Sequence, residues 1–120
     1  MKRAAVVLLA IAAACAHAPR GEGGPIAEGV ASYYGGALRG NRTASGERFD
    51  PDAFTAAHRS LAFGTCLLVE NAANGRSVRV RVNDRGPFTR GRILDVSEAA
   101  ARALDFIRQG IARVRLFLCA

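Results

Sequence analysis

The stretch Ser77-Val78-Arg79-Val80-Arg81-Val82 alternates strictly, with three valines on one side and two arginines on the other. Successive side chains of a strand point to opposite faces, so this pattern predicts a strand with one dry face and one wet face. It is the second arm of a hairpin whose first arm is Cys66-Leu67-Leu68-Val69-Glu70, with the turn at Asn74-Gly75. The alternation returns in a final strand, Ile111 to Leu118, where Val114, Leu116 and Leu118 alternate with Arg113 and Arg115. Shorter strand-like segments are Val30 to Tyr34, ending at Gly35-Gly36, and Arg92 to Val96. Ser97 predicts a helix N-cap, and Glu98 suits the positive end of the helix dipole. Val96, Ala100, Leu104 and Ile107 form one apolar stripe along that helix, which Gly110 is expected to end. Residues 37–52 carry Gly40, Gly46 and Pro51 and read as one long polar loop, a length usually reserved for function. Several short strands and a single helix in about 90 residues predict a mainly β fold, a small barrel.

The N-terminus reads as an address. Met1-Lys2-Arg3 is positive and Ala4 to Ala14 is uncharged and apolar, too short for a bilayer span of about 20 residues. Residues 1–14 are therefore expected to be an export signal. Ala13-Ala14-Cys15 resembles a lipoprotein cleavage site, with Ala12 where Leu is usual, and lipidation at Cys15 is the expectation. The alternative is ordinary cleavage after Ala16-His17-Ala18, although Pro19 is a poor residue there. Residues 15–28 read as a flexible tether and 29–120 as the domain. The expected location is the periplasm or cell envelope, held to the membrane at Cys15.

Beyond residue 14 remain 106 residues, enough for one domain, with fifteen basic and ten acidic side chains. Scattered arginines on an exported chain fit an anionic wall polymer or membrane surface and exclude a nucleic-acid role. A monomer is expected. Cys66 and Cys119 both lie in strand-like segments, and an even pair in an oxidising compartment predicts a disulfide stapling the last strand to the barrel. Two buried free thiols are the alternative. One candidate histidine with no paired ligand spacing argues against zinc, and neither metal nor cofactor is expected.

Asn83-Asp84-Arg85-Gly86-Pro87 follows directly on the alternating strand. Gly-Pro turns the chain, which leaves Asp84 and Arg85 at a strand end, where side chains project into a cleft. Taken alone, the motif reads equally well as a turn cap with a surface ion pair. The long loop adds Thr43-Ala44-Ser45-Gly46-Glu47 and Asp50, and Thr55-Ala56-Ala57 leads to His58. Each acid or histidine alone is more often a solvated charge or a satisfied residue.

Taken together, Gly29 to Gly35, Thr43 to Glu47, Thr55 to His58, Asn71 with Asn74-Gly75-Arg76, Asn83 to Pro87 and Gly91 to Ser97 resemble, in this order, the rare lipoprotein A family. The resemblance covers residues 29–118 and implies a six-stranded double-psi β-barrel. It implies a lytic transglycosylase that cleaves the MurNAc–GlcNAc bond of peptidoglycan without water and leaves a 1,6-anhydro end. Asp84, Glu47 and His58 match the family's polar active-site positions. Asp84 is expected to be the acid/base, because one carboxyl group can protonate the leaving oxygen and then deprotonate the C6 hydroxyl, whereas hydrolysis uses two. Glu47 is expected to orient substrate or stabilise positive charge at the sugar. His58 is expected to hydrogen-bond a carboxyl group and tune its pKa. Tyr34 is a candidate sugar-stacking ring or core residue, and Thr43, Asn83, Arg85 and Asp50 are candidate substrate contacts. Many family members carry a C-terminal glycan-binding domain, whereas this sequence runs to Ala120. The rival readings are a non-catalytic, expansin-like wall-binding module and a structural lipoprotein with protein partners.

Overall fold

The computed structural model describes residues 24–120. The expected export signal, the lipidation site Cys15 and most of the tether lie outside the described residues. Six strands follow in chain order: β1 (Ala27–Tyr33), β2 (Thr55–Ala57), β3 (Cys66–Asn71), β4 (Ser77–Asp84), β5 (Arg92–Val96) and β6 (Ile111–Leu118). One helix, α1 (Glu98–Ala103), lies between β5 and β6. β1 starts two residues ahead of Gly29, inside the stretch read as tether.

The strands close into a barrel in the order β1-β5-β2-β4-β3-β6, which leaves no unpaired sheet edge. β1 pairs in parallel with β5 and β2 with β4, and the remaining ladders are antiparallel. Exchanging β1, β2, β3 for β4, β5, β6 maps this ring onto itself, so the two halves are interlocked equivalents. Each parallel ladder carries one register shift, between Val30 and Ala31 and between Ala56 and Ala57. Inside lie Leu67, Val69, Val80, Val82, Leu94, Val96, Val114 and Leu116, all essentially inaccessible. Burying each such side chain is worth about 1.5–3 kcal/mol. The expected alternation holds for β4, but in β6 the terminal Leu118 is 44% exposed while Phe117 is buried opposite Leu68.

Two elements differ from expectation. β2 is only three residues long and buried throughout, wedged between β4 and β5, so it carries no alternation to read. The helix starts at the Ser97 cap, whose Oγ accepts from the Ala100 amide, but it ends near Leu104 and not at Gly110. Asp105 takes a left-handed φ of 61°, the Asp105 amide donates to the Arg102 carbonyl and the Phe106 amide to the Ala101 carbonyl. This is a Schellman cap with Asp where glycine is usual. The side-chain amides of Asn71 and Asn74 donate to the Leu104 carbonyl at 2.9 and 3.1 Å, and Phe106 drops fully into the core. Tertiary contacts, and not the glycine, terminate the helix. Cys66 and Cys119 form the expected disulfide, joining the start of β3 to the residue after β6.

Candidate active site

Asp84, the last residue of β4, stands on the wall of an open cleft of about 340 Å³. Strand alternation does not aim it alone; three donors from three segments do. Its Oδ2 accepts from the Tyr34 hydroxyl at 2.6 Å, and its Oδ1 accepts from the Ala44 amide at 2.8 Å and the Arg85 amide at 2.9 Å. A carboxylate has about four acceptor sites, so one remains for a bound molecule. Burial first, then the bond and charge of Asp84 and the charge of Asp95, push the Tyr34 phenol far up, so it stays protonated and donates. The Tyr34 and Phe49 rings pack edge to face with centroids 4.9 Å apart, and both line the cleft.

The long loop reaches Asp84 because its own polar groups are satisfied. Gly40 and Phe49 amides donate to the Phe49 and Asn41 carbonyls, and the Thr43 amide and hydroxyl both donate to the Glu47 carbonyl. The Ser45 amide donates to the Asn83 carbonyl, which docks the loop tip on β4 and presents the Ala44 amide to Asp84. Gly46 has a φ of 95°, a conformation side chains rarely adopt, at the tight turn that allows this approach. The opposite rim, Pro87 to Thr89, is held by Arg59, which donates to the carbonyls of Pro87, Thr89 and Arg92 at 2.7, 3.3 and 2.8 Å.

Of the three expected catalytic residues, Asp84 lines the cleft, while Glu47 and His58 border it through Asn83 and through the Asp84 backbone. Glu47 does not line the cleft; Arg81 grips it through both guanidinium nitrogens at 2.5 and 3.0 Å, and Asn83 adds a bond at 3.2 Å. The Arg81 bonds, then the Asn83 bond, hold its carboxyl below the ordinary value. Half exposed, the pair is worth less than about 1 kcal/mol. His58 also lies outside the cleft lining and bonds neither carboxylate, contrary to the expected tuning role. Its Nδ1 accepts the Ser60 and Leu61 amides, both at 3.1 Å, because the chain turns sharply there and leaves two donors unmet. Its link to Asp84 runs through the backbone, from the His58 amide to the Asp84 carbonyl at 3.1 Å.

Desolvation, then the charges of Arg85 and Arg59, lower the His58 pKa from 6.5. The unfolded chain therefore binds the proton first: stability is complete above pH 6.5 and declines as pH falls through that value toward the folded pKa. We expect the thermal midpoint to fall between pH 7.5 and 5.5, and His58→Asn, which can accept the same two amides, to flatten that slope. An unchanged slope in the variant refutes the assignment, since His58 is the one histidine among the described residues.

Of the expected substrate contacts, Thr43 and Arg85 line the cleft. The Arg85 guanidinium is braced by the His58 and Leu61 carbonyls and lies 4.1 Å from the Phe63 ring centroid. Asn83 is buried behind Asp84 and bonded to Glu47. Asp50 sits at an exposed corner, where it accepts from the Asp52 amide and pairs with Arg39 at 3.6 Å, outside the cleft lining. Sequence reasoning missed Asp95, Phe88 and Arg42 on the cleft wall and Arg59 behind it. Asp95 was visible only as part of a strand, and Phe88 only as the residue following the Gly-Pro turn.

Together, the six interlocked strands and the cleft at their ends define a double-psi β-barrel domain. The chain belongs to the lytic transglycolase family, whose profile matches residues 26–116, as the ordered motifs implied. The "probable endolytic peptidoglycan transglycosylase RlpA" of Nostoc sp. is 59% identical over 91 residues, covering 74% of this chain and 24% of that protein. The "endolytic peptidoglycan transglycosylase RlpA" of Neisseria meningitidis serogroup A is 54% identical over 88 residues, covering 73% of this chain and 37% of that protein. The chain thus spans well under half the length of these relatives. The apo crystal structure of Clavibacter michiganensis expansin matches with a TM-score of 0.61 and 30% identity, over 78% of this chain and 50% of that one. A mutant of the same expansin, solved in complex with cellohexaose, matches with a TM-score of 0.60 and 27% identity, over the same shares of the two chains.

Proposed function

We propose that this domain is a lytic transglycosylase that cleaves the MurNAc–GlcNAc bond of peptidoglycan strands and leaves 1,6-anhydroMurNAc ends. The observation that carries this reading is Asp84, a carboxylate fixed by three donors on the wall of a glycan-sized cleft with one acceptor site still free. With a proton on that free site, Asp84 protonates the departing GlcNAc oxygen and then takes a proton from the MurNAc C6 hydroxyl, whose oxygen closes on the anomeric carbon. No water enters, and the carboxyl group ends in its starting state. Tyr34 and the two amides hold the carboxyl group in register with the bond. Glu47 and Arg81 brace the loop that supplies the Ala44 amide, a positioning role. The apolar leader read at residues 1–14 and the lipidation expected at Cys15 support a location for this reaction in the cell envelope.

Digestion of purified sacculi followed by mass spectrometry of the soluble products tests the reading. Anhydro ends are expected. Reducing ends in their place mean hydrolysis and a wrong mechanism. The expansin likeness favours a second reading, a cleft that binds glycan and cuts nothing, and sedimentation with sacculi without soluble products is its signature.

Phe88 supplies an apolar platform for the sugar. It is 79% exposed on the cleft wall, unusual for so large an apolar side chain unless something covers it. Covering the ring is worth about 1 kcal/mol, so Phe88→Ala is expected to raise KM about fivefold with kcat and thermal midpoint nearly unchanged. Unchanged glycan affinity removes Phe88 from the binding surface.

A further inference from the structure

The cleft wall carries a second carboxylate. Asp95 lies in β5 between Leu94 and Val96, both fully buried in the barrel core, so strand alternation turns Asp95 away from the core and onto the wall that Asp84 shares. Ser32 is its neighbour across the parallel β1/β5 ladder, and the Ser32 hydroxyl donates to Asp95 Oδ1. That bond holds the carboxylate and, among the described residues, leaves Oδ2 without a donor. Among the described residues no arginine pairs with Asp95, whereas Glu47 shares its charge with Arg81. Asp95, Asp84 and the Tyr34 that bonds Asp84 all line this one cleft.

Glycosidic cleavage passes through a transition state with positive charge at the anomeric carbon. A fixed anion stabilises that charge in proportion to how little it is already compensated, and more strongly where sugar displaces water. Glu47 fails this requirement: it is neutralised by a guanidinium and lies outside the cleft. We propose that Asp95 is the catalytic anion that stabilises the cationic sugar, while Asp84 handles the proton; this rests on the transglycosylase reading. The cleft then resembles a two-carboxylate glycosidase site with the roles divided between charge and proton, and the C6 hydroxyl in place of water.

The test is Asp95→Asn, which preserves size and an oxygen that accepts from Ser32. Sacculus digestion by this variant is expected to show kcat lowered about a hundredfold, with KM within about threefold of the wild type and the thermal midpoint retained. Asp95→Ala is expected to be equally slow and to regain activity with added formate, a small anion able to replace the missing charge, which a purely structural role would not allow. Activity of Asp95→Asn within threefold of the wild type, absence of formate rescue, or loss of the folded barrel each overturn the proposal. Retained activity in Asp84→Asn alongside an inactive Asp95→Asn inverts the two roles and overturns it as well. A wild-type domain that makes no anhydro ends removes the transglycosylase reading and this inference with it, whereas an active wild type with an equally active Asp95→Asn removes only this inference.

Discussion

Asp84→Asn is expected to lower the formation of 1,6-anhydroMurNAc from sacculi by about a thousandfold, within the range general acid–base groups contribute, while the barrel and its binding of sacculi persist. The expectation follows from how the side chain is held. An amide oxygen in the Oδ1 position still accepts from the Ala44 and Arg85 amides, and the amide nitrogen can donate to the Tyr34 oxygen, reversing that bond without moving either residue. Thermal stability therefore changes little, and the loss falls on proton transfer. The measurement is product release by mass spectrometry beside co-sedimentation with sacculi. A variant that retains more than a tenth of the wild-type rate strips Asp84 of the proton role. A variant that loses sacculus binding along with activity assigns Asp84 to binding, which favours the expansin-like reading.

Much of the frame was legible because it rests on short-range rules. The valines of β4 announce a strand with one buried face, and Ser97 announces the start of a helix, since both signals depend only on neighbours in sequence. What stayed hidden depends on partners far along the chain. Helix α1 ends where Asn71 and Asn74, some thirty residues earlier, cap the Leu104 carbonyl, and Gly110 merely follows. β2 is legible only as the filling between β4 and β5. The site divides in the same way. Asp84 could be placed at a cleft from its position after an alternating strand and before Gly86-Pro87. The role of Glu47 could not, because it is decided by Arg81, an outward-facing residue of β4 that by alternation alone reads as a solvated charge. The partners of His58 could not be read for the same reason: its Nδ1 accepts from the Ser60 and Leu61 amides of the turn that follows it. Asp95 escaped notice because a single acid inside an apolar strand becomes meaningful only when β1 and β5 bring it beside Tyr34.

The interlocked topology bears on how such a site is kept rigid. Cleft residues come from the end of β1, the long loop, the end of β4 and β5, four segments that are distant in sequence. β5 lies between β1 and β2 in the barrel, and β2 lies between β5 and β4, so Tyr34, Asp95 and Asp84 are carried by a continuous run of hydrogen-bonded strands. Displacing Asp84 relative to Tyr34 requires breaking ladders, and not only moving a loop. β3 and β6 contribute no residue to the cleft, which leaves that side of the barrel free to carry stabilising features without disturbing the chemistry.

The Cys66–Cys119 bridge is such a feature, and removing it should lower stability strongly while leaving activity at room temperature intact. The bridge joins residues 53 apart, and closing a loop of that length in the unfolded chain is worth up to about 4 kcal/mol. In the folded state the two ends are already neighbours, since the Cys119 amide donates to the Cys66 carbonyl at 3.2 Å, so little native geometry depends on the bond. The stabilisation therefore acts mainly on the unfolded chain. For a domain of this size about 2–4 kcal/mol corresponds to a drop in Tm on the order of 15 °C. The Cys66→Ser, Cys119→Ser double variant is expected to show that drop in a thermal scan, and reduced wild type to melt beside it, because Cys66 is exposed to reductant. Digestion rates of the three samples at 25 °C should agree within about twofold. A double variant that melts within about 2 °C of the oxidised wild type refutes the stabilising role. A variant that melts low and also digests slowly instead ties the β3–β6 side to the cleft, and the division of labour between the two faces of the barrel is then wrong.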